Sequence, residues 1–286
     1  MNVRGAVALT VFVLCAGREA HARNLIVPIV TNAPGAGARR YETTLTLHNH
    51  SSVAQGVRLT FRNSGAPAPP AVTALSLAPG GWRKFPDVLL VFGIASGFGS
   101  LEVESGAEVD TRVVLRSETD ALPIPPFVLS DAIARGENAR VDQVSFGGSS
   151  EFRYNVIVQE VVGEGASVRL RLLSPRGELA ERTLALEPLE HRLYTAADLF
   201  PHVTTEHAIV EATVDSGLGR IIMLGSRIRQ RDSSSTLFKQ VPGQRRNKEI
   251  PTLEFGIYAV AGLLLAFAGA RRLPQLAFGS RKRGPP

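Results

Sequence analysis

The chain is almost free of cysteine, since Cys15 is the only one among its 286 residues. No disulfide can therefore form within the chain, and its fold must be stabilised by a hydrophobic core. Hydrophobic residues make up 44% of the sequence, which is enough for such a core. Cys15 follows Leu14, whereas a lipid-modified cysteine requires a small residue before it. We therefore interpret Cys15 as one apolar residue of an N-terminal hydrophobic segment.

The sequence also lacks a basic stripe with interleaved aromatic residues. The formal net charge is +6, but residues 23–249 contain 25 Lys and Arg against 24 Asp and Glu. The positive excess thus lies at the two ends of the chain, and only 6% of the residues are aromatic. This distribution argues against nucleic acid as a partner.

Catalytic motifs are missing as well. The chain contains neither a Gly-x-Ser-x-Gly elbow nor a phosphate-binding P-loop. Three residues separate His202 from Glu206, whereas an inverted zinc-protease motif has two. His48 and His50 flank Asn49 without an identifiable third metal ligand. The sequence predicts no enzyme, no catalytic residue, no metal and no cofactor.

Four carboxylates form the densest acidic group in the chain. Glu102 and Glu104 alternate on one predicted strand, and Glu108 and Asp110 follow in the next turn. We expect a hairpin here, which would bring all four together on a solvated face. A weak Ca²⁺ site or an acid/base pair is the alternative interpretation.

The N-terminus is typical of a secretory signal peptide. Arg4 supplies the positive charge, residues 6–16 the apolar segment, and Ala20-His21-Ala22 the small-x-small cleavage site. Cleavage after Ala22 would start the mature chain at Arg23. The apolar segment is short for an uncleaved membrane anchor, for which about 20 residues are usual.

The C-terminus contains a second apolar segment between polar and basic residues. Residues 255–270 are uncharged, and the segment from Ile250 to Leu273 approaches the length that spans a bilayer. Arg271 and Arg272 follow, with three more basic residues further on. Since positive charge resists translocation, we expect a transmembrane helix with a cytoplasmic C-terminus.

This C-terminal segment resembles a known class of bacterial sorting signal. Its motif residues are Ile250, Pro251, Thr252, Leu253, Glu254, Phe255 and Gly256, followed by the apolar segment and the Arg271-Arg272 pair. The pattern is similar to the IPTL-CTERM signals, which are related to the PEP-CTERM signals handled by exosortase-type proteases. The family usually continues with Ser-Glu-Trp-Gly, where this chain has Glu-Phe-Gly. The resemblance implies an exosortase-type sorting protease as a partner.

Between its ends the chain reads as a series of short strands. Segments such as 43–47, 56–61 and 111–115 alternate apolar and polar residues, and Gly, Pro, Asn or Ser separate them. Alternation with period two is typical of strands with one buried face. Turn signals every 8 to 15 residues indicate an all-β protein of Ig-like β-sandwich type.

The pattern of the first part returns in the second. Arg40-Tyr41 corresponds to Arg153-Tyr154 and Val57-Arg58-Leu59 to Val168-Arg169-Leu170. The ordered matches have offsets between 109 and 113 residues, which predicts two tandem domains. The predicted organisation is a signal peptide (1–22), two β-sandwich domains (23–121 and 122–240), a stalk (241–249) and the anchor with its basic tail (250–286).

The predicted join between the domains is Leu122-Pro-Ile-Pro-Pro126. Three prolines fix φ and remove backbone donors, which favours a stiff spacer. Phe127-Val-Leu129 would then be the first strand of the second domain. The segments Leu45–Asn49 and Leu77–Gly80 also resemble motifs of tandem β-domains in exported bacterial proteins, a likeness that implies fold and location but no activity.

Trp82, the only tryptophan, follows Pro79-Gly80-Gly81. We expect its side chain to be half-buried at a domain edge, and the alternative is an exposed position, which makes Trp82 the candidate ligand contact. We expect an exported, non-enzymatic protein of the cell envelope that presents its β-domains for adhesion or structural interaction. An envelope protein or a polysaccharide would be the partner. A carbohydrate-binding module and a hydrolase with a dispersed site are the two alternatives.

Overall fold

The structure, a computed structural model, describes residues 23–34, 40–65, 69–118, 120–148, 151–231 and 234–243. These residues fold into antiparallel strands with short helical turns, which confirms the predicted all-β class. They belong to one compact unit that ends at Gly243. The predicted signal peptide, the sorting motif and the transmembrane segment lie outside the described residues.

The described residues form two halves of nine strands each. The first half contains β1 (Arg23–Pro34), β2 (Arg40–Asn49), β3 (Gln55–Asn63), β4 (Ala71–Leu77), β5 (Trp82–Phe85), β6 (Gly97–Ser105), β7 (Val109–Arg116), β8 (Ala121–Pro123) and β9 (Phe127–Val128). The second contains β10 (Asn138–Phe146), β11 (Phe152–Glu160), β12 (Ala166–Ser174), β13 (Gly177–Leu186), β14 (His191–Thr195), β15 (Thr205–Gly217), β16 (Ile221–Arg229), β17 (Ser235–Lys239) and β18 (Val241–Pro242). Helix α1 (Ala196–Leu199) and 3₁₀ turns at Leu89–Phe92 and Leu129–Asp131 complete the fold.

The strand pairings of the first half recur nine strands later in the second. The pairs β3–β4, β2–β7 and β1–β9 return as β12–β13, β11–β16 and β10–β18. The second half has a five-stranded sheet, β13-β12-β15-β10-β18, and a four-stranded sheet, β14-β11-β16-β17. In the first half β1 also pairs with β2, which joins both layers into one nine-stranded sheet.

Alternating side chains build the core of each half. In β2, Leu45 and Leu47 are fully buried, whereas Thr46 between them and His48 after them are half-buried on the other face. Successive residues of a strand point to opposite faces, so the sequence pattern fixes which face is buried. Burial of each such leucine contributes about 2 kcal/mol to stability.

Two strands of the second half are buried on both faces. In β11, Val156 and Val158 belong to the core of the second half, whereas Ile157 belongs to the core of the first. Leu224 and Ile222 of β16 also pack into the core of the first half. The outer face of the four-stranded sheet is therefore the apolar joint between the halves.

Three expectations about the connections are wrong. The segment Leu122–Pro126 is not a spacer, because β8 pairs with β7 and Ile124 is buried in the first core. Phe127–Val128 pairs with β1 of the first half instead of starting the second. The predicted stalk begins inside a sheet, since Val241–Pro242 forms β18 against β10; residues 244–249 lie outside the described residues.

No helix within the described ranges has the length and apolar composition needed to cross a membrane.

Candidate interaction face and clefts

Trp82 lies at the start of the edge strand β5 and is 69% exposed. Strand β5 pairs with β2, and the cross-strand partner of Trp82 is His48. A tryptophan that is exposed to this extent gains little from burial within its own fold. The structure thus places the candidate ligand contact on the surface, where a partner can reach it.

The side chains beside Trp82 form a polar, solvated sheet face. Cross-strand pairing places His48 between Trp82 and Asp110, and Thr46 between Lys84 and Arg112. Residues directly opposite each other on antiparallel strands share a face. We call this surface the Trp82 face; it comprises Trp82, Lys84, Thr46, His48, Asp110 and Arg112.

Two histidines extend the Trp82 face at the end of β2. The ring centroids of His48 and His50 are 3.9 Å apart in an edge-to-face arrangement. The Nε2–H of His50 donates to Asp110 Oδ2 at 2.7 Å. This exposed cluster offers planar aromatic rings beside hydrogen-bond donors and acceptors.

Asn49 fixes the loop that carries Trp82. Its side-chain amide donates to the carbonyl oxygens of Leu77 at 3.2 Å and Ala78 at 2.9 Å. Its backbone N–H donates to Gly81 O at 2.8 Å. The two sequence motifs, Leu45–Asn49 and Leu77–Gly80, thus meet in space, and their contact positions Trp82 at the start of β5.

In the second half, the sheet face that is equivalent to the Trp82 face forms the joint with the first half. Arg40-Tyr41 corresponds to Arg153-Tyr154, so Thr46 corresponds to Gln159. Gln159 pairs with His191 and Ile222, just as Thr46 pairs with Lys84 and Arg112. Thr46 and its cross-strand partners face solvent in the first half. The equivalent residues in the second half, Gln159 and its partners, therefore lie in the joint.

His191 connects the two halves at the centre of this joint. It is 1% exposed, its Nε2–H donates to Pro28 O at 2.9 Å, and its ring lies 5.6 Å from that of Phe98. Its carbonyl oxygen accepts from the Gly65 N–H at 3.1 Å and from Ser64 Oγ at 3.3 Å. Burial lowers the pKa of His191 to about 4, against the opposing effect of the hydrogen bond to Pro28.

A second polar contact closes the joint at its edge. Lys239 Nζ donates to Pro126 O at 3.0 Å and to Asp131 Oδ2 at 2.8 Å, and it lies 4.6 Å from the ring centroid of Phe127. Burial alone would raise the pKa of Asp131, but the hydrogen bonds from Lys239 and the Val128 N–H lower it overall. The joint thus combines apolar packing with polar contacts at His191 and Lys239.

Each half also has a cleft beside its helical turn. The first-half cleft measures about 570 Å³, and the second-half cleft about 340 Å³. Arg40 lines the first and Arg153 the second, so the two clefts occupy equivalent positions. Asn32 and Asp87 line the first cleft, whereas Phe146 and Tyr154 line the second.

The carboxylates predicted to cluster lie apart. Strand β6 pairs with β1 and β3, and β7 pairs with β2 and β8, so the predicted hairpin is wrong. Glu102 therefore lies on the layer formed by β6, β1 and β3, where its Oε2 is 3.5 Å from Arg62 Nη2. Asp110 lies on the layer that contains β7 and β2. His202 lies in a turn with a positive φ of 67° rather than on a helix. Within the described part of the chain, no three His, Cys, Asp or Glu side chains are arranged to hold a metal ion.

Sequence reasoning missed the joint and the first-half cleft. The runs Val156–Val158 and Ile221–Leu224 carry a signal for the joint, since continuous apolar residues indicate strands that are buried on both faces. Asp87 belongs to one of the repeat matches, Asp87-Val-Leu89 with Asp198-Leu-Phe200, but nothing in the sequence links it to Asn32, which lies 55 residues away.

Comparison of the chain with known protein families and with curated proteins finds no match.

Proposed function

We propose that this chain is an exported, membrane-tethered envelope protein that presents two tandem Ig-like β-sandwich modules and binds a partner through the Trp82 face. It acts by presentation and adhesion, not by catalysis. The signal-peptide pattern at residues 1–22 supports export. The IPTL-type segment, followed by Arg271-Arg272, supports tethering or sorting by an exosortase-type protease.

One observation carries the binding part of this proposal. The sheet face that the second half uses for its joint is solvent-exposed in the first half, where it carries Trp82. Exposed aromatic residues beside charged groups are enriched at protein interfaces. The buried joint at His191 would limit the movement of this face relative to the second half.

Replacing Trp82 with alanine is expected to weaken binding to purified cell-envelope material at least tenfold, because an aromatic anchor supplies about 2 kcal/mol or more at an interface. The full-length chain and its W82A variant would be compared for retention on immobilised envelope protein and polysaccharide fractions. Leu218→Ala is the matched control, since Leu218 is 80% exposed and belongs to the turn between β15 and β16 of the second half. Equal retention of native protein and W82A would refute a role for this face.

A carbohydrate-binding module remains the second candidate, favoured by the exposed position of Trp82 beside Lys84, His48 and Asp110. Sugar rings stack on exposed indoles while polar neighbours bind their hydroxyl groups. The same comparison separates the candidates. Retention on the polysaccharide fraction alone supports carbohydrate binding, and retention on the protein fraction alone supports adhesion to a protein.

A further inference from the structure

The first-half cleft has a polar floor under apolar walls. Asn32 and Asp87 form the floor and are only 2% and 8% exposed. Phe85, Pro86 and Leu90 contribute to the walls. A cleft of about 570 Å³ is large enough for a small organic group, and apolar walls with a few placed polar groups are typical of ligand sites.

The floor contains an acceptor that the protein leaves unused. The Asn32 amide group donates to Asp87 Oδ2, and the Leu89 N–H donates to Asp87 Oδ1 at 3.0 Å. Asn32 Oδ1 is buried and has no hydrogen-bond partner. Buried acceptors are usually paired in folded proteins, and among the described side chains that line this cleft only Asn32 has such an unpaired atom.

Charge in the cleft is also left unbalanced. Among the described residues, no cation forms an ion pair with Asp87. The guanidinium group of Arg40 at the rim already has other partners. Its Nε lies 3.3 Å from Glu42 Oε1, and its Nη2 donates to Ala95 O at 3.1 Å. The two carboxylates and one guanidinium that line the cleft leave a net negative charge.

The second half has an apolar residue at the position that Asn32 occupies in the first-half cleft. Asn32 pairs with Gly97 at the end of the β1–β6 ladder, and Phe146 pairs with Thr205 at the end of the β10–β15 ladder. Phe146, at the equivalent position, is buried in the core of the second half. Because an apolar residue serves the position of Asn32 there, the fold itself does not require a polar side chain at this position.

We infer that the first-half cleft binds a primary alkylammonium group, with its charge beside Asp87, one N–H donated to Asn32 Oδ1 and its aliphatic stem along Phe85 and Leu90. An ammonium group supplies both the donor and the positive charge that the floor lacks. A neutral hydroxyl would supply only the donor. This site is separate from the Trp82 face and does not depend on the function proposed for it.

Two sources could supply this group, namely a lysine side chain of a polypeptide or a free amine. The full-length chain would be titrated by ligand-observed NMR with Nα-acetyl-lysine methylamide, 1,5-diaminopentane and pentan-1-ol. Saturable binding of at least one amine is expected, at least tenfold tighter than binding of pentan-1-ol. Tighter binding of the lysine derivative identifies a polypeptide side chain, and tighter binding of the diamine identifies a free amine.

Two variants test the site itself. Asp87→Asn removes the charge but retains an oxygen for the Leu89 N–H, and it is expected to weaken amine binding at least tenfold. Leu90→Arg places a cation at the rim of the cleft, where it repels an ammonium group, and it is also expected to weaken amine binding. Because the Leu90 side chain is 60% exposed, we expect this variant to fold as the native protein does. Asp215→Asn, an exposed carboxylate paired with Arg169, is the charge-matched control and should retain binding within twofold.

The inference is overturned if neither amine binds saturably, if pentan-1-ol binds as tightly as the amines, or if L90R binds them as the native protein does.

Discussion

Replacing Glu160 with alanine is expected to lower the free energy of unfolding by about 4 kcal/mol, because four half-buried donors lose their acceptor at a cost of about 1 kcal/mol each. Glu160 is fully buried, and its carboxylate accepts four backbone N–H groups: those of Val162 at 2.9 Å, Gly163 at 2.7 Å, Leu189 at 2.7 Å and Arg220 at 3.2 Å. These donors belong to three loops at one end of the second half. Urea unfolding of native protein and E160A would measure the loss.

Two further variants make this test specific. Glu160→Gln retains one acceptor oxygen but directs an amide N–H₂ group at other donors, so an intermediate loss is expected. Glu164→Ala, an exposed carboxylate in the same loop, should change the free energy of unfolding by less than about 0.5 kcal/mol. A loss below 1 kcal/mol for E160A would show that the loops are held by other contacts.

Lowering the pH from 7 to 4 is expected to loosen the joint between the halves through His191. Its pKa of about 4 lies below the ordinary value of 6.5, so the folded protein keeps the imidazole neutral. The stability that the neutral ring contributes is fully present above pH 6.5 and is lost as the pH falls toward 4. For this pKa difference the loss amounts to about 3 kcal/mol at pH 4.

The His191 contribution can be separated from that of the carboxylates, which also titrate at low pH. His191→Gln retains a donor for Pro28 O but does not titrate, so its unfolding free energy should fall less between pH 7 and pH 4. His207→Gln replaces an exposed histidine and should behave as the native protein does. Urea unfolding at both pH values would measure the difference. Identical pH dependence of H191Q and native protein would contradict a neutral, buried His191.

The strands were predictable because their cause is local. Alternation at Leu45 and Leu47 of β2, or at Val57 and Leu59 of β3, predicts which face is buried, and all four side chains are buried in the core. The exposed position of Trp82 was one of two interpretations that the sequence left open. The Pro-Gly-Gly segment before it indicates a turn but not which side chains would cover the indole.

Contacts between distant segments were not predictable in the same way. The turn between β6 and β7 is short, but the chain crosses there from one layer to the other, and strand alternation does not encode this crossing. The prolines at 123, 125 and 126 favour extended backbone, which suits the edge strand β8 as well as a spacer. The backbone preference of the prolines therefore predicts that this segment is extended, but it does not predict which strand the segment pairs with.

The joint and the first-half cleft illustrate the same limit. The apolar run Ile221–Leu224 indicates burial on both faces, but nothing in it names the first-half core as the partner. His191 resembles any other histidine in the sequence, and its role follows only from its contact with Pro28, 163 residues away. Site residues of this kind are defined by tertiary packing.

The most direct test of the account is intact-mass measurement on the native protein after fractionation of the cells that make it. We expect a mature N-terminus at Arg23, with the chain in the membrane fraction if the anchor is retained. Processing at the sorting motif would instead give an end near Ile250 and release into the envelope or the medium. A chain that begins at Met1 and is found in the soluble cytoplasmic fraction would contradict export and, with it, the proposed presentation of the Trp82 face.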